Sequence, residues 1–201
     1  MEGQTQVGVR VGVQEIRRRL LRRLLNLWNS GRGATENIVS TPIVVNQMGM
    51  DVGGKAPRST TGEYFRNNVW WWRPLADYCL QVAPEICEPD GKEVYWHTND
   101  GDGLDDAHAV ALSARLQDEI DSGRTAAFAD SRMAELNAMP DETCDLCHGT
   151  GLRDDTIMQG VCNACEGAGY VRPFATWYAF DAENVQEWVN FLRDCGGFEI
   201  W

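Results

Sequence analysis

Four cysteines in the second half of the chain constrain its folding more than any other feature. They form two copies of the pattern C-x-x-C-x-G-x-G, with 14 residues between the inner cysteines. Each C-x-x-C turn can aim two thiolates at one point, and two such turns facing each other across a hairpin make the tetrahedral sulfur site that zinc accepts. The pattern therefore predicts one structural zinc ion with four ligands: Cys144, Cys147, Cys162 and Cys165.

The glycines that follow each cysteine pair support this prediction. Glycine permits backbone conformations that a side chain would block, so backbone amides can approach the thiolates. Four thiolates fill the coordination shell of zinc and leave no position for water, which predicts a structural ion without chemistry of its own. Two alternatives stay open, namely an iron ion with the same ligands and four ordinary buried cysteines.

The remaining cysteines and the hydropathy of the sequence indicate the cellular compartment. Cys79, Cys87 and Cys195 complete the total of seven and show no local cue for a reactive thiol, so we expect them to be buried. Paired spacing is typical of metal binding and favours a reducing compartment. The sequence has neither an apolar run near the roughly 18 residues of a membrane span nor a secretory signal pattern. It therefore predicts a protein of a reducing compartment without a membrane span.

Charge divides the chain into two parts. Residues 1–47 hold seven Arg and three Glu, whereas residues 48–201 carry a formal net charge of −16. An acidic body repels phosphates, so we do not expect it to bind nucleic acid, and it would attract a basic protein. Such charge also serves simply to keep a protein soluble.

The basic part of the chain is predicted to be an N-terminal extension. Residues 13–28 place apolar side chains at helical spacing among arginines, which predicts an amphipathic helix within residues 1–47. Such a helix is typical of membrane-surface binding, of a nucleic-acid-binding arm or of a transit peptide. Docking on the acidic body and a loosely ordered extension are the simpler alternatives.

Residues 48–201 mix predicted helices and strands, which indicates one compact α+β domain. We expect helices that begin at Pro74, at Asp105 or Asp106, near residue 126 and after Asp181. We expect strands at residues 92–98, 174–180 and 198–201. A zinc-binding hairpin, residues 140–172, is inserted before the C-terminal strand, helix and strand.

The segment 64–73 is the most unusual one outside the cysteine motif. Tryptophan rings flanked by Arg and Asn can stack on a base or sugar and hydrogen-bond to its edges. This predicts a ligand- or partner-binding site that consists of Tyr64, Arg66, Asn67, Asn68, Trp71 and Arg73. Core packing with local hydrogen bonds is the simpler alternative. In a strand, Trp70 and Trp72 would face one side and Trp71 the other.

An acidic loop follows at residues 99–108. Its aspartates resemble a calcium-binding loop, but Leu104 occupies a ligand position and Ala111 stands where the bidentate Glu belongs. A turn and helix-start acids explain them better. His97 and His108 flank the loop, and with Asp100 and Asp102 they would form a hydrolytic or second metal site if the fold brought them together.

The doubled C-x-x-C-x-G-x-G pattern resembles half of the cysteine-rich zinc domain of DnaJ-type co-chaperones, which has four repeats and two zinc ions. The resemblance covers only residues 140–172 and implies a zinc hairpin with a protein-contact surface. The chain lacks the His-Pro-Asp motif of a J domain. Co-chaperone activity is therefore not implied.

A longer resemblance covers residues 48–201. The segments 62–75 and 99–104, the cysteine hairpin and the ending 183–200 together look like a family of uncharacterised small proteins from bacteriophages and bacteria. Members of that family tend to begin near the position of Met48, which implies that residues 1–47 are an extension. The family supplies no activity. It implies the cytoplasm of a bacterial cell or of a phage-infected host.

These observations predict a zinc-braced, non-enzymatic interaction protein, phage-encoded and acting on a host protein. The sequence has no phosphate-binding loop, dinucleotide glycine pattern or nucleophile elbow. The alternative is a protein that binds a small ligand or nucleotide, for example a hydrolase. It would use the segments 64–73 and 99–108. Nucleic-acid binding is expected only of the Arg-rich helix. The sequence does not predict the oligomeric state.

Overall fold

The computed structural model describes residues 49–201. The predicted basic helix and the whole extension, residues 1–47, lie outside the described residues. The described part contains the following helices and strands in chain order: β1 (Gly49–Gly54), β2 (Tyr64–Asn68), α1 (Val69–Val82), α2 (Pro84–Cys87), β3 (Gly103–Leu104), α3 (Asp106–Asp121), α4 (Arg124–Ala138), β4 (Glu142–Thr143), β5 (Leu152–Asp154), β6 (Gln159–Val161), β7 (Tyr170–Val171), α5 (Ala182–Asp194) and β8 (Phe198–Ile200). This mixture of helices and antiparallel strands confirms the α+β class.

The main sheet has four antiparallel strands in the order β2-β1-β8-β3. The last strand in the sequence, β8, therefore lies inside the sheet between β1 and β3. Val52 of β1 is opposite both Phe65 of β2 and Ile200 of β8, and all three side chains are buried. The C-terminal end of the chain is thus built into the core.

Trp188 of α5 lies at the centre of this core and is completely buried. The centroid of its ring lies 4.9 Å from that of Phe65, 5.4 Å from that of Trp72 and 5.1 Å from that of Phe198. Its neighbours therefore come from the sheet and from α1. Aromatic rings bury large areas, so this cluster accounts for much of the packing between helices and sheet.

Three predicted helices are confirmed, together with the last strand. Helix α3 begins after Asp105, whose side chain accepts a hydrogen bond from the amide of His108, and it is followed by Gly123 with a left-handed φ of 77°. Helix α4 covers the predicted shorter helix. Helix α5 begins after Asp181, whose carboxylate accepts from the amide of Glu183 at 2.9 Å.

The predicted start of the first helix at Pro74 is wrong. Helix α1 begins at Val69, so the three tryptophans lie in a helix, and Pro74 lies inside it. The side chain of Asn68 accepts hydrogen bonds from the amides of Trp70 and Trp71, both at 3.1 Å. This cap satisfies free amides of the first turn and starts the helix before the proline.

The predicted strand at residues 92–98 is also wrong. Burial does alternate there, since Trp96 is buried and its neighbours Tyr95 and His97 are exposed. The amide of Tyr95, however, donates to the carboxylate of Asp102 instead of pairing with a strand. Alternating burial without a neighbouring strand leaves this segment as irregular backbone that ends in a turn at Trp96 and His97.

The predicted strand at residues 174–180 is a 3₁₀ helix, Phe174–Trp177, followed by irregular backbone. The rings of Phe174, Trp177 and Tyr178 surround Trp70, with centroid distances of 5.1, 5.5 and 5.0 Å. Side chains three and four positions apart meet on one side of a helical turn. Packing around Trp70 therefore requires a turn where the aromatic composition had indicated a strand.

Candidate metal centre

The four cysteines lie in a cysteine module, defined here as residues 140–172. Strands β4 and β7 pair at its base, with Glu142 opposite Val171. Strands β5 and β6 form a hairpin in which Leu152 is opposite Val161. One cysteine pair follows β4 and the other follows β6, so the two strand pairs bring the two C-x-x-C turns together.

The sulfur atoms have the spacing of metal ligands. The Sγ atoms of Cys144 and Cys162 lie 3.8 Å apart, those of Cys147 and Cys165 lie 3.6 Å apart, and all four lie within 4.8 Å of one another. Tetrahedral coordination with metal–sulfur bonds of about 2.3 Å requires sulfur–sulfur distances of about 3.8 Å, whereas a disulfide requires about 2.0 Å. All four side chains are buried. The arrangement therefore fits one metal ion.

The two repeats are related by reciprocal backbone hydrogen bonds. The amide of Cys144 donates to the carbonyl oxygen of Gly169 at 2.9 Å, and the amide of Cys162 donates to that of Gly151 at 2.9 Å. The first cysteine of each repeat is thus tied to the last glycine of the other repeat. Neither C-x-x-C turn has its geometry independently of its partner.

Left-handed backbone turns follow each cysteine pair. Gly151 and Gly169 have φ angles of 71° and 81°. A Cβ atom on Gly169 would lie 2.4 Å from the carbonyl oxygen of Gly149, which leaves no space for a side chain. His148 and Glu166 occupy equivalent positions and also have positive φ, 51° and 54°. These two left-handed residues were not predicted from the sequence. Their equivalent positions, each directly before a glycine of the repeat, were the available signal.

Backbone amides favour the thiolate form of two of the cysteines. Hydrogen bonds from the amides of Cys165 and Ala164 lower the pKa of Cys162. Burial raises the pKa of Cys147, but hydrogen bonds from the Gly151 and Gly149 amides and from neighbouring thiols outweigh it and bring that pKa to about 7. Because the thiolate is the form that binds metal, these amides prepare the site for an ion.

Cys144 behaves in the opposite way. The hydrogen bond from the Cys147 amide lowers its pKa, but burial and contacts with neighbouring thiols raise the pKa of Cys144 to about 11. Closely spaced thiols cannot all carry a negative charge without a cation between them. Loading of the site with a metal ion is therefore expected to release protons.

The cysteine module has its own small interior. The four cysteines and Val171 form a hydrophobic cluster separate from the main core. Arg172 attaches the module to helix α4, because its guanidinium donates to the carbonyl oxygens of Leu136 and Met139 at the end of that helix. A cation at a helix C-terminus is favourable both for the free carbonyls and for the helix dipole.

The outside of the module carries exposed apolar side chains. Leu146, Leu152 and Val161 are more than half exposed, and Ile157 at the hairpin tip is 87% exposed. The buried sulfur atoms thus brace a small scaffold that displays apolar groups to its surroundings.

The described residues contain no second group of three or more His, Cys, Asp or Glu side chains that could hold a metal ion. His97 Nε2 lies 2.8 Å from the carboxylate of Asp77, and His108 Nδ1 lies 2.7 Å from that of Asp105. The carboxylate of Asp102 accepts from backbone amides. The fold therefore does not bring His97 and His108 together into the hydrolytic or second metal site considered above.

Comparison with models of known families, with curated proteins and with solved structures gives no match. Over residues 49–201, none of the helices is both long enough and apolar enough to span a bilayer.

The candidate binding residues of strand β2 face different surroundings. The hydroxyl of Tyr64 donates to the carboxylate of Asp51, and Arg66 Nε lies 3.6 Å from the same carboxylate. Asn67 is buried and donates to Asn184 Oδ1 at 2.7 Å. Strand alternation thus separates Asn67 from Tyr64 and Arg66.

The other three candidates belong to helix α1 and its cap. Asn68 caps the helix, and the carbonyl of half-buried Trp71 accepts from Asn184 Nδ2 at 3.4 Å. Arg73 donates to the Tyr178 hydroxyl at 3.4 Å and lies 5.8 Å from the centroid of that ring. The six residues have local structural contacts, and binding by them stays a prediction.

A groove of about 640 Å³ lies between α1, α4 and the segment 175–180. Of the six candidates, only Arg73 lines it, and the acidic loop at residues 99–108 does not reach it. Phe128 and Tyr178 supply aromatic surface, while Asp77 and Arg132 supply charge. This groove was not foreseen, because it depends on helix α4, which showed no sequence signal for binding.

The three cysteines outside the module are buried, as expected. Burial raises the pKa of Cys79 well above its ordinary value, that of Cys87 to about 12 and that of Cys195 to about 11. They are therefore unreactive thiols at neutral pH.

Proposed function

We propose that this chain is a zinc-braced, non-enzymatic protein that binds another protein through the cysteine module. The observation that carries the proposal is the closed arrangement of four buried thiols beneath exposed apolar side chains. A four-sulfur shell leaves the ion no open position for substrate or water, so the ion serves structure. We assign zinc because closed tetrahedral sulfur sites with a purely structural role are typical of that ion.

A structural ion suits the small size of the module. Its strands contain two or three residues each, which is too few to be stable alone. Its interior consists mainly of the four cysteines. A metal ion that binds only the folded form supplies the missing stability.

A scaffold held in this way is suited to protein recognition. Exposed apolar groups on a rigid support lose little conformational freedom on binding. We place the partner in the host of a bacteriophage or in a bacterial cell, in line with the sequence resemblance of residues 48–201. The acidic charge of the same residues favours a partner with basic groups.

Native mass spectrometry of the full chain, purified without chelators from its own host cells, tests this proposal. We expect a mass increase of one zinc ion per chain and a bound protein. The Cys162→Ser variant should lose both, whereas Cys79→Ser, which changes a buried thiol outside the module, should keep both. An iron ion would overturn the assignment of zinc. Turnover of a small substrate by a chain that binds no macromolecule would overturn the interaction role.

The groove beside Arg73 favours a second candidate, a small-ligand or nucleotide-handling protein. Its volume of about 640 Å³ lies in the range of ligand pockets, and it combines aromatic walls with a few charged groups. A small-molecule adduct in the same spectrum would support this candidate. That adduct should disappear in Arg73→Ala and persist in Arg115→Ala, a variant of an exposed arginine outside the groove.

A further inference from the structure

The turn at the tip of the β5–β6 hairpin is held by several hydrogen bonds. The Oδ1 atom of Asp155 accepts hydrogen bonds from the amides of Ile157 and Met158, at 2.8 and 2.9 Å. The amide of Asp155 donates to the carbonyl oxygen of Met158 at 3.0 Å. Arg153 Nε donates to the second carboxylate oxygen of Asp155 at 2.6 Å. The backbone on both sides of Ile157 is therefore fixed before any partner arrives.

This turn presents an isoleucine to the surroundings. At 87% exposure, Ile157 is the most exposed large apolar side chain of the described residues. Leu152 and Val161 lie directly opposite each other behind the tip and share one face of the hairpin, where they are 61% and 57% exposed. A single exposed apolar residue is ordinary, but this narrow hairpin exposes three, one at its tip and two opposite each other behind it.

The module also carries acidic side chains without an ion pair. Glu142, Asp145 and Asp154 are exposed, and none forms an ion pair within the described residues. Both arginines of the module are already paired, Arg153 with Asp155 and Arg172 with Asp141. The module therefore offers exposed apolar side chains on the hairpin, the unpaired carboxylate of Asp154 close to its tip, and no unpaired arginine.

We propose that the hairpin, residues 152–161, inserts Ile157 into an apolar pocket of a protein partner that carries basic residues around that pocket. This inference rests on the proposed interaction function and specifies its contact. An apolar anchor at the centre with charged groups at the rim is the usual anatomy of a protein interface. The fixed turn lowers the entropic cost of insertion, and opposite charges speed association.

Two other occupants fit less well. An anionic membrane surface would repel the exposed carboxylates beside the tip. A second copy of this chain would bring like charges together, because the module and the rest of residues 48–201 are acidic. Both are nevertheless distinct outcomes of the experiment.

The test uses the full, metal-loaded chain with a photo-crosslinking residue at position 157. Met133, which is 42% exposed on helix α4, provides the matched control position. In host-cell lysate, we expect position 157 to crosslink one protein that position 133 does not. That protein, once identified and purified, is titrated calorimetrically with wild-type chain and with variants.

Ile157→Asp should weaken binding at least about 30-fold, because a charge would enter the apolar pocket. Ile157→Val and Met133→Asp should bind within about threefold of wild type. Asp154→Lys should weaken binding, and so should an increase in salt from about 0.05 M to about 0.5 M. Metal content and amide spectra of each variant show that the module is intact.

The outcomes separate this inference from the proposed function. A partner that binds wild type and Ile157→Asp equally would overturn the insertion of Ile157 and leave the interaction function standing. The absence of any protein partner would overturn both. Crosslinking of the chain to itself, or flotation with phosphatidylserine vesicles that Ile157→Asp abolishes, would replace the partner protein by a second copy or by a membrane.

Discussion

A Cβ atom on Gly151 would lie 2.2 Å from the carbonyl oxygen of Gly167, so the two glycines join the repeats of the cysteine module by direct backbone contact. Gly151 belongs to the first repeat and Gly167 to the second. A change in either turn must therefore move the other. The metal site depends on this contact although neither residue provides a ligand.

We expect Gly151→Ala to weaken metal binding more than tenfold. The new methyl group would meet the Gly167 backbone, and alanine would be strained at a φ of 71°. Release of metal to a chromogenic chelator measures the effect. Gly53→Ala is the matched control, because a Cβ at Gly53 meets nothing within 4 Å. Equal metal release by wild type and Gly151→Ala would show that this backbone contact does not control metal binding.

Removal of the metal should unfold the cysteine module and leave the rest of the described fold intact. The cysteine cluster and the main core share no buried residue. Hydrogen exchange after chelation should show lost protection at the amides of Cys144 and Cys162, with retained protection in helix α5. Loss of protection in α5 at the same chelator concentration would show that the two parts unfold together.

The ion pair between Glu119 and Arg124 should make stability depend on pH. Glu119 is 4% exposed and accepts hydrogen bonds from Arg124 at 2.7 and 3.0 Å. These bonds, against the smaller effect of burial, hold the pKa of Glu119 below its ordinary 4.5. Because the folded pKa is the lower one, the carboxylate stabilises the fold above about pH 4.5, and this contribution disappears as pH falls through the folded pKa.

Glu119→Gln should therefore lower the free energy of unfolding at pH 7 by about 1–3 kcal/mol. The difference from wild type should shrink as the pH falls below about 4.5 and through the lower folded pKa. Urea unfolding at several pH values measures both. Asp118→Asn, a change at the exposed neighbouring residue, should have little effect at any pH. A difference that does not vary with pH would argue against an ionised Glu119 as its source.

The cap of helix α1 distinguishes a structural role of Asn68 from a binding role. Asn68→Ala removes the acceptor for the Trp70 and Trp71 amides and should cost about 1 kcal/mol of stability. Asn68→Asp keeps an acceptor and should retain the stability of wild type. Thermal unfolding measures the change. Full stability of Asn68→Ala would show that the cap contributes nothing.

Local patterns predicted the parts of the fold that depend on neighbouring residues. Asp181 was recognised as a helix cap and Asp105 as one of two candidate caps, because a side-chain oxygen just before an apolar helical pattern is a local signal. The convergence of Cys144 and Cys162 follows in the same way from the doubled spacing, which needs only a hairpin to bring the sulfurs together. The identity of the ion does not follow from these positions.

Distant contacts explain the errors. Pro74 marks a helix start in isolation, but burial of Trp72 against Trp188 extends α1 back to the Asn68 cap. Tyr95 lies in a segment whose buried and exposed residues alternate as in a strand. Its amide nevertheless donates to the carboxylate of Asp102, which lies beyond a turn. No sequence period reports such pairings. The candidate residues Tyr64 and Asn67 were grouped because they are near in sequence, and strand β2 directs them to opposite faces.

The pairing of Thr143 with Tyr170 places the entry and exit of the cysteine module side by side. The module is therefore an insertion whose two ends are adjacent. Its length does not affect the positions of the elements that flank it. Insertions, deletions or replacement by another hairpin would leave α4 and α5 at the same separation. A hairpin of another length or sequence could therefore replace this module without a change in the aromatic core around Trp188.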